Sequence, residues 1–127
     1  MSKLKKISTE AAPGAIGPYS QAIAVDNLVF LSGQIPLEPT TMTLVEGGIK
    51  EQTIQVFENL SAVARASGGS LANIVKLTIY LTDLGHFPVV NEIMASYFSE
   101  PYPARATVEV SALPRNAVVE VEAILAL

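Results

Sequence analysis

The sequence predicts an α+β protein, with one β-sheet that carries two helices on one of its faces. Several short segments repeat apolar residues with the period of a β-strand, and two longer stretches repeat them with the period of an α-helix. These segments follow one another in the order β-β-β-α-β-α-β-β, for which a single two-layer core is the economical arrangement. A chain of 127 residues suits a single domain, which we place over residues 1–127.

Three strands and two loops are predicted before the first helix. The second and third strands form a hairpin joined at Asp26-Asn27, a pair of residues that suits a two-residue turn. Stretches rich in proline, glycine and alanine precede and follow this hairpin, and they are predicted to be extended loops. The predicted strands are residues 4–8, 20–25 and 28–32, and the predicted loops are residues 9–19 and 36–43.

The longest helix is predicted over residues 48–67, where apolar residues fall on one stripe and charged residues lie largely elsewhere. Gly68-Gly69 ends it. A strand follows over residues 74–82. The second helix is predicted to begin near Asp83, a possible cap, with Pro88 in its first turn. The last two strands are residues 103–110 and 118–127.

Composition and charge exclude several classes of protein. The net charge is −4, with 8 basic and 12 acidic residues, and this argues against a nucleic-acid-binding surface, which needs a broad basic face. The chain has no cysteine, so disulfides, thiolate nucleophiles and cysteine zinc sites are excluded. We find no targeting or membrane-spanning pattern and expect a cytoplasmic protein that does not bind membranes.

The surface is predicted to be partly covered by other subunits. Half of the residues are hydrophobic and only 16% are charged, whereas about 25% is usual. So few charges would coat a monomer poorly, and oligomers bury such surfaces. A monomer with an apolar surface is the alternative.

The last two strands carry charged residues on one face. Because a short connection joins them, we expect an antiparallel pair in which Arg105 and Thr107 share a face with the glutamates of the last strand, Glu120 and Glu122. One interpretation is a solvated face with a cross-strand ion pair. The other is a pocket in which Arg105 binds an anion, typically a carboxylate, beside a glutamate that activates water. Spacing alone leaves both open.

Five segments together resemble the RidA/YjgF/UK114 family of reactive-intermediate (imine or enamine) deaminases, in order and with family-like spacing over nearly the whole chain. They are APGAIGPYSQAI (residues 12–23), FLSGQIP (30–36), HFPVVNE (86–92), PARATVEV (103–110) and VEVEA (119–123). The resemblance implies a chorismate-mutase-like fold that assembles as a homotrimer, with a site in each cleft between subunits.

The resemblance also implies roles for individual residues. Arg105 matches the arginine that holds the substrate carboxylate, and Glu120 matches the glutamate that positions the attacking water. The matched residues that line the cleft are Tyr19, Ser32, Gly33, Phe87, Asn91 and Thr107. Thr107 stands where many members have cysteine, and Val121 stands where isoleucine or methionine is commoner.

The implied reaction is the hydrolysis of 2-iminobutanoate, 2-iminopropanoate and related enamines, which pyridoxal-phosphate enzymes release, to 2-oxo acids and ammonia. It needs no cofactor and no metal. The alternative is a regulatory protein on the same scaffold that binds a 2-oxo acid or another small carboxylate without turnover. The presence of both Arg105 and Glu120 favours the enzyme, because binding a carboxylate needs only the arginine.

Overall fold

The computed structural model describes residues 3–127, so the first two residues of the predicted domain lie outside the described residues. The predicted order of strands and helices is confirmed. The strands are β1 (Lys5–Ile7), β2 (Ala22–Val25), β3 (Leu28–Gln34), β4 (Ile74–Leu81), β5 (Ala104–Glu109) and β6 (Val119–Ala126); the helices are α1 (Ile49–Ala66) and α2 (Phe87–Tyr97). Short 3₁₀ turns precede β4, α2 and β6.

All six strands form one mixed sheet in the order β1-β2-β3-β6-β4-β5. Strand β6 lies between β3 and β4 and is antiparallel to both, whereas β5 lies at the edge and is parallel to β4. The expected antiparallel pairing of the last two strands is therefore wrong, because β4 separates them. The connection over residues 110–118 has to cross only two strand spacings, about 10 Å, which is well within its reach.

Burial explains why β6 takes the central place. Its inward-facing residues are almost completely buried: Val119, Val121, Ala123 and Leu125. An aliphatic row of this kind has to lie under a helix and between two strands. Strand β5 has no buried residue, so it loses little by lying at the edge of the sheet.

Both helices contribute to a core on one face of the sheet. Helix α1 supplies Val56, Phe57 and Leu60, which have no exposed surface. It begins after Gly48, whose N–H donates to Glu51 Oε1 at 2.9 Å, and the chain leaves it through Gly68 in the left-handed conformation (φ +97°). Neither helix of residues 3–127 is long and apolar enough to cross a membrane.

Two buried amides hold the predicted loops in place. The Nε2 of Gln21 donates to the carbonyls of Thr9 at 3.0 Å and Pro13 at 2.8 Å, while its Oε1 accepts the N–H of Thr9 at 2.7 Å. The Nδ2 of Asn59 on α1 donates to the carbonyl of Leu37 at 3.0 Å. The loops before β2 and after β3 are therefore fixed to the core, although they contain little regular structure.

Replacing Gln21 tests this anchoring. We expect Gln21→Ala to lower the free energy of unfolding by about 2–4 kcal/mol, because it leaves several buried backbone groups without partners. Chemical denaturation measures the change. Glu10→Ala, an exposed substitution in the same loop, should change it by less than about 0.5 kcal/mol. Equal effects of the two variants would contradict the anchoring role.

Candidate functional site

Arg105 lies at the edge of the sheet and turns toward α2. It pairs in register with Leu77 of β4, whose side chain belongs to the core, so the two residues share the helix-covered face. Its Nη1 donates to Asn91 Oδ1 at 2.6 Å, and its Cζ lies 5.1 Å from the centre of the Phe87 ring. The amide and the ring together fix the plane of the guanidinium.

The guanidinium keeps donors for a ligand. Among the described residues, the hydrogen bonds of Arg105 run through Nη1 alone, to Asn91 and more weakly to the sulfur of Met94 at 3.5 Å. A guanidinium has five N–H donors in a planar fork, and this fork matches a carboxylate. A cavity of about 440 Å³ opens beside Arg105 and Asn91.

Thr107 follows Arg105 on the same face of β5 and is half-buried. Its Oγ1 is inaccessible to solvent and has no hydrogen-bond partner among the described residues. Buried hydroxyls normally have partners, and one without a partner calls for an explanation. The predicted site residues Arg105, Thr107, Phe87 and Asn91 therefore form one group, which we call the arginine cluster.

The other predicted residues line a separate cavity of about 460 Å³: Tyr19, Ser32, Gly33 and Glu120. We call this the glutamate cavity. Ser32 is held by two hydrogen bonds, from its N–H to the carbonyl of Gln21 at 3.0 Å and from its Oγ to the carbonyl of Ser20 at 2.5 Å. Tyr19 remains half-exposed at the opening.

Gly33 leaves room for the carboxyl group of Glu120. A Cβ at position 33 would lie 3.0 Å from Glu120 Cδ and nearer still to Oε2, closer than real side chains approach. The pairing of β3 with β6 is irregular here, between Leu31 and Gln34. Strand β3 thus passes close to the carboxyl group because it carries no side chain at this point.

The surroundings of Glu120 make its carboxyl group more basic. Burial raises its pKa first, because the charged form loses solvent, and the nearby charge of Glu122 raises it further. The neighbouring Glu122 accepts a hydrogen bond from the Tyr80 hydroxyl at 2.5 Å. A carboxylate with a raised pKa can take up a proton and release it again nearer neutral pH.

The arginine cluster and the glutamate cavity lie on opposite faces of the sheet. Arg105 pairs with Leu77 on the helix-covered face, whereas Glu120 pairs with Tyr80 on the open face. The expected register with Arg105 beside Glu120 and Glu122 is therefore wrong, and so is the cross-strand ion pair. Glu109 lies on the same face of β5 as Arg105, and its Oε1 accepts the N–H of Leu84 at 2.9 Å.

Sequence reasoning missed the wall of the glutamate cavity. Arg115 and Met42 line it, and the Nη1 of Arg115 donates to the carbonyl of Met42 at 3.1 Å. The missed apolar lining residues are Ile16, Ile35, Leu37 and Pro114. Prolines and glycines around these positions indicated loops, but no local pattern shows that two distant loops meet. The described residues contain no group of three or more His, Asp or Glu that could hold a metal ion.

The chain resembles known proteins over nearly its whole length. The family model described as Endoribonuclease L-PSP matches residues 9–127. The human 2-iminobutanoate/2-iminopropanoate deaminase is 46% identical over 118 residues, which cover 93% of this chain and 86% of the human protein.

Two solved structures share the fold. RidA from an Antarctic Psychrobacter species is 52% identical, with a TM-score of 0.94 over 97% of this chain and 99% of the other. TdcF of E. coli with bound serine is 40% identical, with a TM-score of 0.91 over 97% of this chain and 98% of the other. On this evidence of sequence and structure, the family predicted from the motifs is confirmed, and the chain belongs to the Endoribonuclease L-PSP family, with the reactive-intermediate deaminases among its relatives.

Proposed function

We propose that this protein hydrolyses short 2-imino and 2-enamino acids, such as 2-iminobutanoate and 2-iminopropanoate, to 2-oxo acids and ammonia. The observation that carries the proposal is the division of the predicted site into an oriented guanidinium and a separate cavity with a basic carboxyl group. The human relative is named for this activity. Binding of serine to the related TdcF supports a small ligand that carries an α-carboxylate.

The site is completed by a neighbouring copy in a homotrimer. Arg105 and Glu120 face opposite sides of the sheet, so one copy cannot apply both to the same small molecule. If the arginine cluster of one subunit meets the glutamate cavity of the next, each cleft gains both groups. Exposed apolar residues on the open face, Phe30 and Val108, and the small share of charged residues support such an assembly.

In each cleft, Arg105 binds the substrate carboxylate. Two parallel charge-assisted hydrogen bonds, each worth about 1.5–3 kcal/mol, would fix the plane of the 2-imino acid. Asn91 and Phe87 hold the guanidinium before the substrate arrives, so little is lost in ordering it.

Glu120 moves the protons. Its carboxylate accepts a proton from water as the water oxygen adds to the imine carbon, and the C=N double bond becomes a C–N single bond. The protonated carboxyl then returns a proton to the nitrogen. The hydroxyl then gives its proton to the Glu120 carboxylate, which passes it to the amino group. The C–N bond breaks, the carbonyl forms and ammonia departs, so one water is consumed for each 2-oxo acid released. The raised pKa of Glu120 suits a group that carries a proton in both directions.

Substitution of Arg105 tests substrate binding. We expect Arg105→Ala to lower kcat/KM for 2-iminobutanoate, generated in situ by a dehydratase, by about 100-fold or more, because two charge-assisted bonds are lost. Arg105→Lys should fall between wild type and Ala, since it keeps the charge without the fork. Arg65→Ala, at the end of α1, serves as the control. If wild-type protein binds a 2-oxo acid but leaves the imine unchanged, the alternative of a binding protein is correct.

Mixing inactive variants tests the shared cleft. Arg105→Ala and Glu120→Gln subunits are refolded together at equal amounts, and the hydrolysis rate is compared with that of each variant alone. A cleft with one group from each of two subunits is intact with a probability of one half times one half, so about a quarter of wild-type activity should return. No recovery in confirmed mixed trimers would contradict the shared cleft, and a monomer in sedimentation would contradict the trimer.

Glu120→Gln tests the proton carrier and its energetic cost. We expect kcat to fall by about 100-fold. In the pH–rate profile of the wild-type protein, activity should be lost on the acid side at a pH above the ordinary pKa of a glutamate. Because folding raises the pKa of Glu120, its ionisation costs stability as pH rises through the folded-state pKa. Glu120→Gln should therefore raise Tm by a few degrees at pH 7. At about pH 4 the glutamate is largely neutral, like the glutamine that replaces it, so Tm should not change.

The exposed substitution Glu46→Gln provides the control for this comparison. Thermal unfolding of the three proteins at both pH values gives the result. A Glu120→Gln protein that is less stable than wild type at pH 7 would contradict the strained environment that we assign to this carboxyl group.

A further inference from the structure

The far wall of the glutamate cavity consists of two loops from distant parts of the chain. One is the loop over residues 36–45, whose base is held by Asn59. The other is the turn over residues 114–116. Gln52 holds the end of this turn through a 2.9 Å hydrogen bond from the N–H of Val118. Both anchors lie on α1 and are buried, so the bases of the loops are fixed to the same helix.

Among the described residues, a hydrogen bond of 3.1 Å from Arg115 Nη1 to the carbonyl of Met42 joins the two tips. Within each loop the backbone bonds are local, such as Met42 N–H to the carbonyl of Glu38 and Ala117 N–H to the carbonyl of Pro114. The Arg115–Met42 bond therefore links two loops whose backbone hydrogen bonds are local.

Unfavourable backbone conformations cluster at this contact. Among the described residues, four that are not glycine have a positive φ, and three of these adjoin the cavity: Met42 (59°), Arg115 (59°) and Asn116 (61°). The fourth, Asp26, lies in the β2–β3 turn. Glycine would adopt this conformation without penalty, so methionine and arginine at both ends of one hydrogen bond indicate that their side chains are needed there.

Met42 also separates the glutamate cavity from a neighbouring cavity. Four residues line both spaces: Gly14, Ile16, Tyr19 and Met42. The neighbouring cavity, of about 900 Å³, extends past Pro39 and Thr40 toward the loop after β1. Met42 therefore lies at the boundary between the two spaces.

We propose that Arg115 is a positioning residue that holds Met42 between the two cavities and thereby limits the length of the substrate side chain. This inference rests on the proposed function and names a residue that determines its substrate specificity. The lining of the glutamate cavity is apolar at Ile16, Ile35 and Leu37, so it accepts short aliphatic side chains. Longer side chains of the same class enter only when the Arg115–Met42 contact opens.

Three variants distinguish the effect of the Arg115 guanidinium from the effect of the strained backbone. Arg115→Gly removes the side chain and keeps an unstrained positive φ, Arg115→Lys keeps a long cationic donor, and Asn116→Gly relaxes the same turn without touching the contact. Imines are produced in situ by an amino-acid oxidase from alanine and from leucine. The measured quantity is the ratio of kcat/KM for the leucine imine to that for the alanine imine.

We expect Arg115→Gly to raise this ratio about tenfold, mainly through a lower KM for the longer substrate. Arg115→Lys should keep most of the wild-type preference, and Asn116→Gly should stay within about twofold of wild type. An unchanged ratio in Arg115→Gly, or an equal rise in Asn116→Gly, would overturn the proposal.

Two further measurements keep this test apart from the test of activity. Calorimetry with pyruvate and with 4-methyl-2-oxopentanoate should show the same shift in relative affinity without turnover. Hydrogen exchange in residues 36–45 should quicken in Arg115→Gly and not in Asn116→Gly. If wild type neither hydrolyses imines nor binds 2-oxo acids, both the proposed function and this inference are wrong. If wild type is active and Arg115→Gly leaves the kcat/KM ratio unchanged, only the inference is wrong.

Discussion

Strand β6 buries four aliphatic side chains beneath the helices: Val119, Val121, Ala123 and Leu125. Their burial requires a strand on each side, so β6 lies between β3 and β4 and β5 is displaced to the edge. The alternation of β6 then directs Glu120 to the open face, while the pairing of β5 with β4 directs Arg105 to the helix-covered face. The separation of the two charged groups follows from the packing of the core, and so does the need for a second copy in the site that we propose.

The carboxyl group of Glu120 lies where the protein offers it little stabilisation. It is partly buried, it faces the negative charge of Glu122, and β3 gives it space only through Gly33. A surface optimised for stability would place an uncharged side chain here. Functional groups are often kept in such unfavourable surroundings because the same features that cost stability also raise reactivity. The buried hydroxyl of Thr107, which has no hydrogen-bond partner within residues 3–127, is a second feature of this kind, and it belongs to the arginine cluster.

Local patterns in the sequence predicted every strand and both helices, because periodicity, glycine stops and the Pro88 signal depend on neighbours along the chain. They did not predict the order of the strands, since adjacency in a sheet depends on which faces are most deeply buried. The connection over residues 110–118 looked like a hairpin loop, yet it crosses β4. The motifs predicted Arg105, Asn91, Phe87, Glu120 and Gly33 as residues of one site, but they did not predict that these residues lie on two faces of the sheet. The contact between Arg115 and Met42 was beyond prediction, because 73 positions separate the two residues and neither lies in a periodic segment.

The position of β5 at the rim of the sheet has a consequence for the single chain. A rim strand has a partner on one side only, and unpaired backbone groups on the other side can recruit another chain and start aggregation. The opposite rim, β1, is limited to three residues and carries the exposed lysines Lys5 and Lys6. Strand β5 is longer, but Arg105 and Glu109 place a charge near each of its ends. Charged side chains on a rim strand disfavour the addition of a further strand, so Arg105 and Glu109 oppose edge-to-edge pairing at this rim.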